Sequence, residues 1–312
     1  MNGDDIDPEV REFVRRVSQR YAEVLGDGEV DLSSQRAAAE VVRAPWREGG
    51  PVMVATEERL VGLSKVRVRI HRPAAGGMLP ALVYLHGGGW TTFSLDTHDR
   101  LMREYAGRAG CAVVGIDYSL SPEARFPRAL EEIGEVLGWL MSDGTEAGLD
   151  STRIAIGGDS AGANLSIASM IRARDRGEPL TRGMVLNYGA FDEEVRGSHA
   201  RYSNANYMLG AAEMDAFWRN YRGEDRSDDP LARPLLADLT GLPPAFLCIA
   251  ECDILADENH EMARRLELAG VPVVAKVYRG ATHSFLEAVS ISALADQALQ
   301  DGADWLREQL CS

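Results

Sequence analysis

Two periodicities divide the chain. Between residue 8 and about residue 43, Val10, Phe13, Val14, Val17, Tyr21 and Val24 recur at steps of three and four, the spacing that lays one apolar face along a helix. That run ends near Gly26-Asp27-Gly28, and a shorter helical run starts after Asp31 and stops before Pro45, as helix punctuation requires. From Pro51 the period changes. Val66, Val68 and Ile70 alternate with Lys65, Arg67, Arg69 and His71, which predicts a half-solvated strand, antiparallel and near a sheet edge. Continuous apolar runs of the buried parallel type follow at residues 81–85, 111–116, 154–156, 184–186, 245–250 and 273–278. Helical patterns separate most of them, at 97–109, 127–141, 161–174 and 257–268. Strand and helix in this alternation predict an α/β fold with a mostly parallel sheet. Ligands of such sheets bind beyond the carboxyl ends of the strands.

One interval interrupts the pattern. Between Asp192 and Pro230 the chain is polar and charged, with Tyr202, Tyr207 and Met208 and a helical patch at Met214, Phe217, Trp218 and Tyr221. The expected organisation is therefore N-terminal helices over 1–50, a core over 51–192 and 230–312, and an insertion over 193–229. The helices and the insertion together are expected to form a cap over the sheet's carboxyl edge, with Tyr207 and Met208 candidates for substrate contact.

Composition narrows the function. The net charge is −15 over 312 residues, which excludes a nucleic-acid surface, since phosphate binding needs clustered Lys and Arg. The start, Met1-Asn2-Gly3-Asp4-Asp5, is acidic and leads into no apolar core, and no stretch approaches the roughly 18 apolar residues of a membrane span. The expectation is a soluble cytoplasmic protein that does not engage a membrane. Cys111, Cys248 and Cys252 lie in apolar runs and Cys311 near the end, a spacing that reads as reduced thiols rather than a zinc or redox motif. No metal or organic cofactor is expected.

The chemistry centres on Gly158-Asp159-Ser160-Ala161-Gly162, a G-x-S-x-G turn between the 154–156 strand and the 161–174 helix. Serine is a weak nucleophile unless its turn exposes the hydroxyl, keeps side chains away and leaves backbone amides to meet an oxyanion. Glycines on either side permit that turn, and the Ala161 amide sits at the positive end of the following helix. His86-Gly87-Gly88-Gly89-Trp90 leaves the 81–85 strand with consecutive exposed amides, as oxyanion stabilisation demands. Trp90 and Phe93 beside it are further candidates for an apolar pocket. A serine mechanism then needs a base and an orienting acid. His283 follows the 273–278 strand at the correct edge, whereas His199 falls in the insertion and His260 in a helix. For the acid, Asp253 ends the 245–250 strand, and Asp257 and Asp192 compete with it.

HGGGW, GDSAG, Asp253-Ile254-Leu255-Ala256-Asp257-Glu258 and His283-Ser284-Phe285, with Tyr118-Ser119-Leu120-Ser121-Pro122-Glu123 between them, resemble the hormone-sensitive-lipase-like esterases of the α/β-hydrolase superfamily, in their bacterial GDSAG branch. The likeness runs from about Val66 to Leu310. It implies Ser160 as nucleophile, Asp253 as orienting acid and His283 as base, with Gly88, Gly89 and Ala161 as the oxyanion hole. It also implies a helical cap, hydrolysis of short- to medium-chain carboxylic esters through an acyl-enzyme, a small-molecule ester as partner, and homodimers pairing through the last strand and helix. The sequence departs from the family pattern at Ser119, Ile254, Ala256 and Ser284, where Arg, Pro, Arg and Gly are usual. The same triad also serves acyltransferases, amidases and lactonases, and similar folds without the histidine act as small-molecule receptors, a reading that His283 disfavours. With an ordinary histidine as base, activity is expected to rise through about pH 6 to 8.

Overall fold

The computed structural model describes residues 3, 5–26, 28, 30–204, 206–224 and 228–311. Met1, Asn2 and Asp4 of the acidic start, Asp27 of the expected helix end and 225–227 of the expected insertion lie outside the described residues.

Helices α1 (Pro8–Leu25) and α2 (Leu32–Arg43) come first, then strands β1 (Ala55–Val61), β2 (Val66–Arg72) and β3 (Leu79–Leu85). The chain continues α3 (Asp99–Ala109), β4 (Ala112–Ile116), α4 (Arg128–Asp143), β5 (Leu149–Asp159), α5 (Ala161–Asp175) and β6 (Met184–Asn187). It ends α6 (Gly197–Tyr202), α7 (Ala211–Arg222), β7 (Ala245–Cys252), α8 (Ala256–Leu268), β8 (Val273–Thr282) and α9 (Ala293–Cys311). Asp7 caps α1 by accepting the amides of Glu9 and Val10, and Asp31 caps α2 by accepting that of Ser34, so both N-termini find acceptors for otherwise orphaned donors.

The strands form one eight-stranded sheet in the order β1-β2-β4-β3-β5-β6-β7-β8. β2 pairs antiparallel with β1 and β4, and the remaining pairings are parallel. Alternate side chains divide between two cores, as the pleat dictates. Ala81, Val83 and Leu85 of β3 join α4, α5 and α8, while Leu82 and Tyr84 join α1, α3 and α9. α5 is buried on nearly every side, because it lies behind the centre of the sheet.

The alternating strand 66–70 is antiparallel and lies next to the edge, as expected, and the edge itself is β1, whose Glu57, Glu58 and Arg59 stand in a run too polar to read as a strand. One strand reading changes. The apolar run 273–278 is the opposite edge strand, and Val274 and Val277 are exposed. A continuous apolar run therefore does not by itself mean burial on both faces.

Candidate active site

Three parallel strands deliver their following loops to one edge. β5 ends at Asp159 and α5 begins at Ala161, so Ser160 alone makes the turn, with φ 53° and ψ −115°. A non-glycine residue at such a φ is strained, a condition typical of functional turns. The neighbouring β3 leaves no room for side chains: a Cβ on Gly158 or Gly162 would strike the Leu85 carbonyl. The turn is pinned by Ser160 donating its amide to the Asn187 carbonyl at 2.9 Å. Asn164, one turn into α5, donates to the carbonyls of Ala190 and Ala232.

His283 follows β8 and Asp253 follows β7. His283 Nε2 lies 2.9 Å from Ser160 Oγ, and His283 Nδ1 lies 2.7 Å from Asp253 Oδ2. The other Asp253 oxygen, Oδ1, accepts the Leu255 amide at 3.0 Å. All three side chains are buried. The competing acids are engaged elsewhere: Asp192 pairs with Arg196 and Arg233, and Asp257 pairs with Arg201 and accepts the Ser198 amide. His199 accepts the Arg196 amide through Nδ1, and His260 is exposed on α8. Thus the structure brings together Asp253, His283 and Ser160 and leaves the other candidates apart. Ser284 adopts φ 60°, which explains why glycine suits this position in the family pattern.

The glycine loop after β3 reaches the same point. Gly88 and Gly89 have φ 102° and 58°, and the Gly88 carbonyl accepts the amides of Thr91 and Thr92 at 3.0 and 2.9 Å. A Cβ on Gly88 would collide with the Thr92 carbonyl, and one on Gly89 with the Phe217 ring. Gly88, Gly89, Ser160 and His283 share a cavity of about 720 Å³ whose other walls come from α1, α2 and α7. The four expected pocket residues separate here. Phe93 and Met208 line the cavity. Trp90 does not: it stacks on Tyr221 at 4.3 Å and meets Trp218 at 4.5 Å, packing α7 onto the loop. Tyr207 is buried and donates to Asp5 at 2.8 Å, tying the chain before α7 to the N-terminal segment. A second hollow, of about 540 Å³, lies by Arg125, Arg219 and Glu224 and touches none of these groups.

A family model for the α/β-hydrolase fold matches residues 82–287. The chain belongs to the hormone-sensitive-lipase-like esterases of the α/β-hydrolase superfamily. It is 36% identical to the acetyl esterase of Salmonella paratyphi B over 281 residues, spanning 88% of this chain and 86% of that one. It is similar in structure to a hyperthermophilic esterase from the archaeon Pyrobaculum calidifontis, with a TM-score of 0.90, 32% identity, and 98% and 99% of the two chains covered. A thermostable carboxylesterase cloned from a metagenomic library gives a TM-score of 0.87 at 32% identity, with 90% and 98% covered.

Beneath the Ser160 turn this α/β hydrolase carries groups the motifs do not announce. Asp159 accepts the Tyr84 hydroxyl at 2.9 Å and lies 3.2 Å from His98 Nε2. Burial alone would push His98 down, but the Asp159 charge and hydrogen bond outweigh it and hold the imidazole above its ordinary value. His86, with no carboxylate hydrogen-bonded to it among the described residues, is pushed down to about 3 by burial and by the nearby His98 charge. At His283 burial again acts downward, and Asp253 overrides it to raise the imidazole above its ordinary value. The expected pH window therefore moves upward. At the cavity wall formed by α2, Arg43 Nε and Glu287 Oε2 form a buried pair at 2.6 Å. Only the proximity of His98 to Gly88-Gly89 in sequence hinted at such a role, and nothing in the spacing linked α2 to the loop after His283.

Among the described residues, no helix is long and apolar enough to cross a membrane. Cys111, Cys248 and Cys252 are buried free thiols, and Cys311 is exposed.

Proposed function

We propose that this protein hydrolyses carboxylic esters of short to medium acyl chain through an acyl-enzyme, as a serine esterase of the GDSAG branch. The observation that carries the reading is the unbroken line from Asp253 through His283 to Ser160, opening on a cavity that also holds Gly88 and Gly89. His283 takes the Ser160 proton as Oγ attacks the ester carbonyl. The amides of Gly88, Gly89 and Ala161 receive the oxyanion; among the described residues no protein acceptor occupies them. The protonated imidazole then passes its proton to the leaving alcohol, and water repeats the sequence on the acyl-enzyme. Asp253 holds the imidazole tautomer and stabilises its cation.

Relatives named acetyl esterase and carboxylesterase support the reaction and the short acyl group. The N-terminal helices over 1–50 and the insertion over 193–229 act as the cap, since α1, α2 and α7 wall the cavity. Free thiols are consistent with a cytoplasmic location. The exposed edge strand β8 is the surface on which two copies pair. Hydrolysis of p-nitrophenyl esters from acetate to palmitate tests the reading in the parent protein and in Ser160→Ala. Turnover greatest for short chains and lost in the variant is expected. A silent parent, or an active variant, overturns it.

A further inference from the structure

Two residues in the walls of the active cavity hold a backbone conformation that side chains disfavour. Phe93 has φ 71° and Ser284 has φ 60°, in the region that suits glycine. Such residues persist only where their surroundings fix them. Both line the cavity, one in the chain after Gly88 and Gly89 and the other next to His283. The Phe93 ring packs against Gly88, where a Cβ would lie 2.8 Å from Phe93 Cδ2. The Ser284 carbonyl accepts the Glu287 amide at 3.1 Å, within the 3₁₀ turn Phe285–Ser290.

One side chain of α2 reaches both loops. The Arg43 guanidinium lies over the Phe93 ring at 5.0 Å, and the His98 ring is 5.5 Å from the same phenyl group. Arg43 Nε lies 2.6 Å from Glu287 Oε2, and both side chains are almost wholly buried. The contact is one of charge and packing rather than a saturated hydrogen-bond network. Arg43 Nε and Nη1 and Glu287 Oε1 are buried without a hydrogen-bond partner among the described residues. The guanidinium is thus compensated by the Glu287 carboxylate and by the rings of Phe93 and Tyr21, the last at 5.8 Å. Each of these groups is drawn toward the same buried cation.

We propose that Arg43 is a positioning residue, whose guanidinium joins the loop that carries His283 to the loop that carries Gly88 and Gly89 and keeps both in register at Ser160. This rests on the esterase reading, which makes His283 the base and the glycine amides the oxyanion donors. Arg43 acts through Glu287 on one side and through Phe93 on the other, so its loss displaces both loops, and a shift of about 1 Å in reacting groups costs about 100-fold.

The test counts competent serines first, by stoichiometric p-nitrophenolate release from diethyl p-nitrophenyl phosphate, so that a reduced folded fraction does not enter kcat. Per titrated serine, kcat on p-nitrophenyl acetate is expected to fall about 100-fold in Arg43→Met, while KM stays within about threefold. Affinity for hexyl trifluoromethyl ketone, which adds to Ser160 Oγ and places an oxyanion in the hole, is expected to weaken in proportion to kcat/KM. Glu287→Gln is expected to cost about tenfold, and the double variant no more than Arg43→Met alone, because the two act through one contact. A kcat per serine within about twofold of the parent makes Arg43 merely structural and overturns the inference. So does a rise in KM with kcat unchanged, an unaltered affinity for the ketone, or additive losses. Should Arg43→Met yield no titratable serine, Arg43→Lys carries the test: it keeps the charge beside Glu287 but offers no planar face to Phe93. Its kcat is expected to fall about tenfold, and an unchanged kcat overturns the inference. A parent protein that neither reacts with the phosphate nor hydrolyses any ester overturns the esterase reading, and this inference with it.

Discussion

Two buried aspartate–histidine pairs lie on either side of Ser160, and only one of them reaches its hydroxyl. In both, an imidazole is raised above its ordinary value against the pull of burial by the adjoining carboxylate. They differ at the second ring nitrogen. His283 turns Nε2 to the Ser160 hydroxyl at 2.9 Å, beside the cavity, whereas His98 turns Nδ1 to the Thr97 hydroxyl at 2.9 Å inside the core. A raised, paired histidine is therefore no mark of a catalytic base. What its free nitrogen faces decides whether the pair moves protons or holds a turn in place, because general base catalysis requires reach before it requires basicity.

The largest effect that could break this contrast is at His283. Replacing it with alanine is expected to lower kcat on p-nitrophenyl acetate by about 10⁶-fold, as in triads whose members act as a unit; a loss below about 100-fold would make His283 a bystander. Asp253→Asn is expected to cost about 10⁴-fold through the wrong tautomer. It should also shift the ascending limb of the kcat/KM–pH profile downward, since the charge that raises His283 is removed. In the parent protein that limb lies above about pH 6.5, because the base must lose its proton to act. A limb at or below that value contradicts the pairing.

His98→Ala tests the other pair. It leaves Asp159 buried without its cation, and is expected to destabilise the fold by about 3–5 kcal/mol in urea denaturation while leaving the position of the kinetic limb near the parent's. A large alkaline or acid displacement of the limb would place His98 in the proton path. The smallest effect is on stability against pH. Both imidazoles have raised values in the fold, so their contribution is complete below about pH 6.5 and is lost as pH rises through the folded-state values. Urea midpoints measured from pH 6 upward should fall in the parent and fall less in His98→Ala; an equal decline would mean that His98 is not protonated in the fold.

The same contrast separates what could be read in the chain from what could not. The G-x-S-x-G turn, the glycine loop and the residues ending β7 and β8 are local: each lies at a strand's carboxyl end, so element order alone gathers Ser160, Asp253 and His283 at one edge. Choice among Asp192, Asp253 and Asp257 was a matter of partners. Asp192 is held by the nearby Arg196 and by Arg233 from 41 residues away, and Asp257 in the first turn of α8 by Arg201 from 56 residues away. Trp90 and Tyr207 look like pocket aromatics beside their motifs, yet their rings pack inward while Phe93 and Met208 face the cavity. Side-chain direction in a loop follows the neighbours it packs on, and no period encodes it.

By itself the sequence determined the alternation of strand and helix, the parallel character of the sheet's centre, and the strained serine turn with its flanking glycines. These depend on periodicity and on backbone conformations that only certain residues permit. The tertiary structure decided that β1 covers β2, that the apolar run of β8 lies at an exposed edge, that His98 supports Asp159, and that Arg43 meets Glu287 across the span from α2 to the loop after β8. Each of these joins residues far apart in the chain. A buried charge must find a partner wherever the fold supplies one, and nothing local announces which partner that will be.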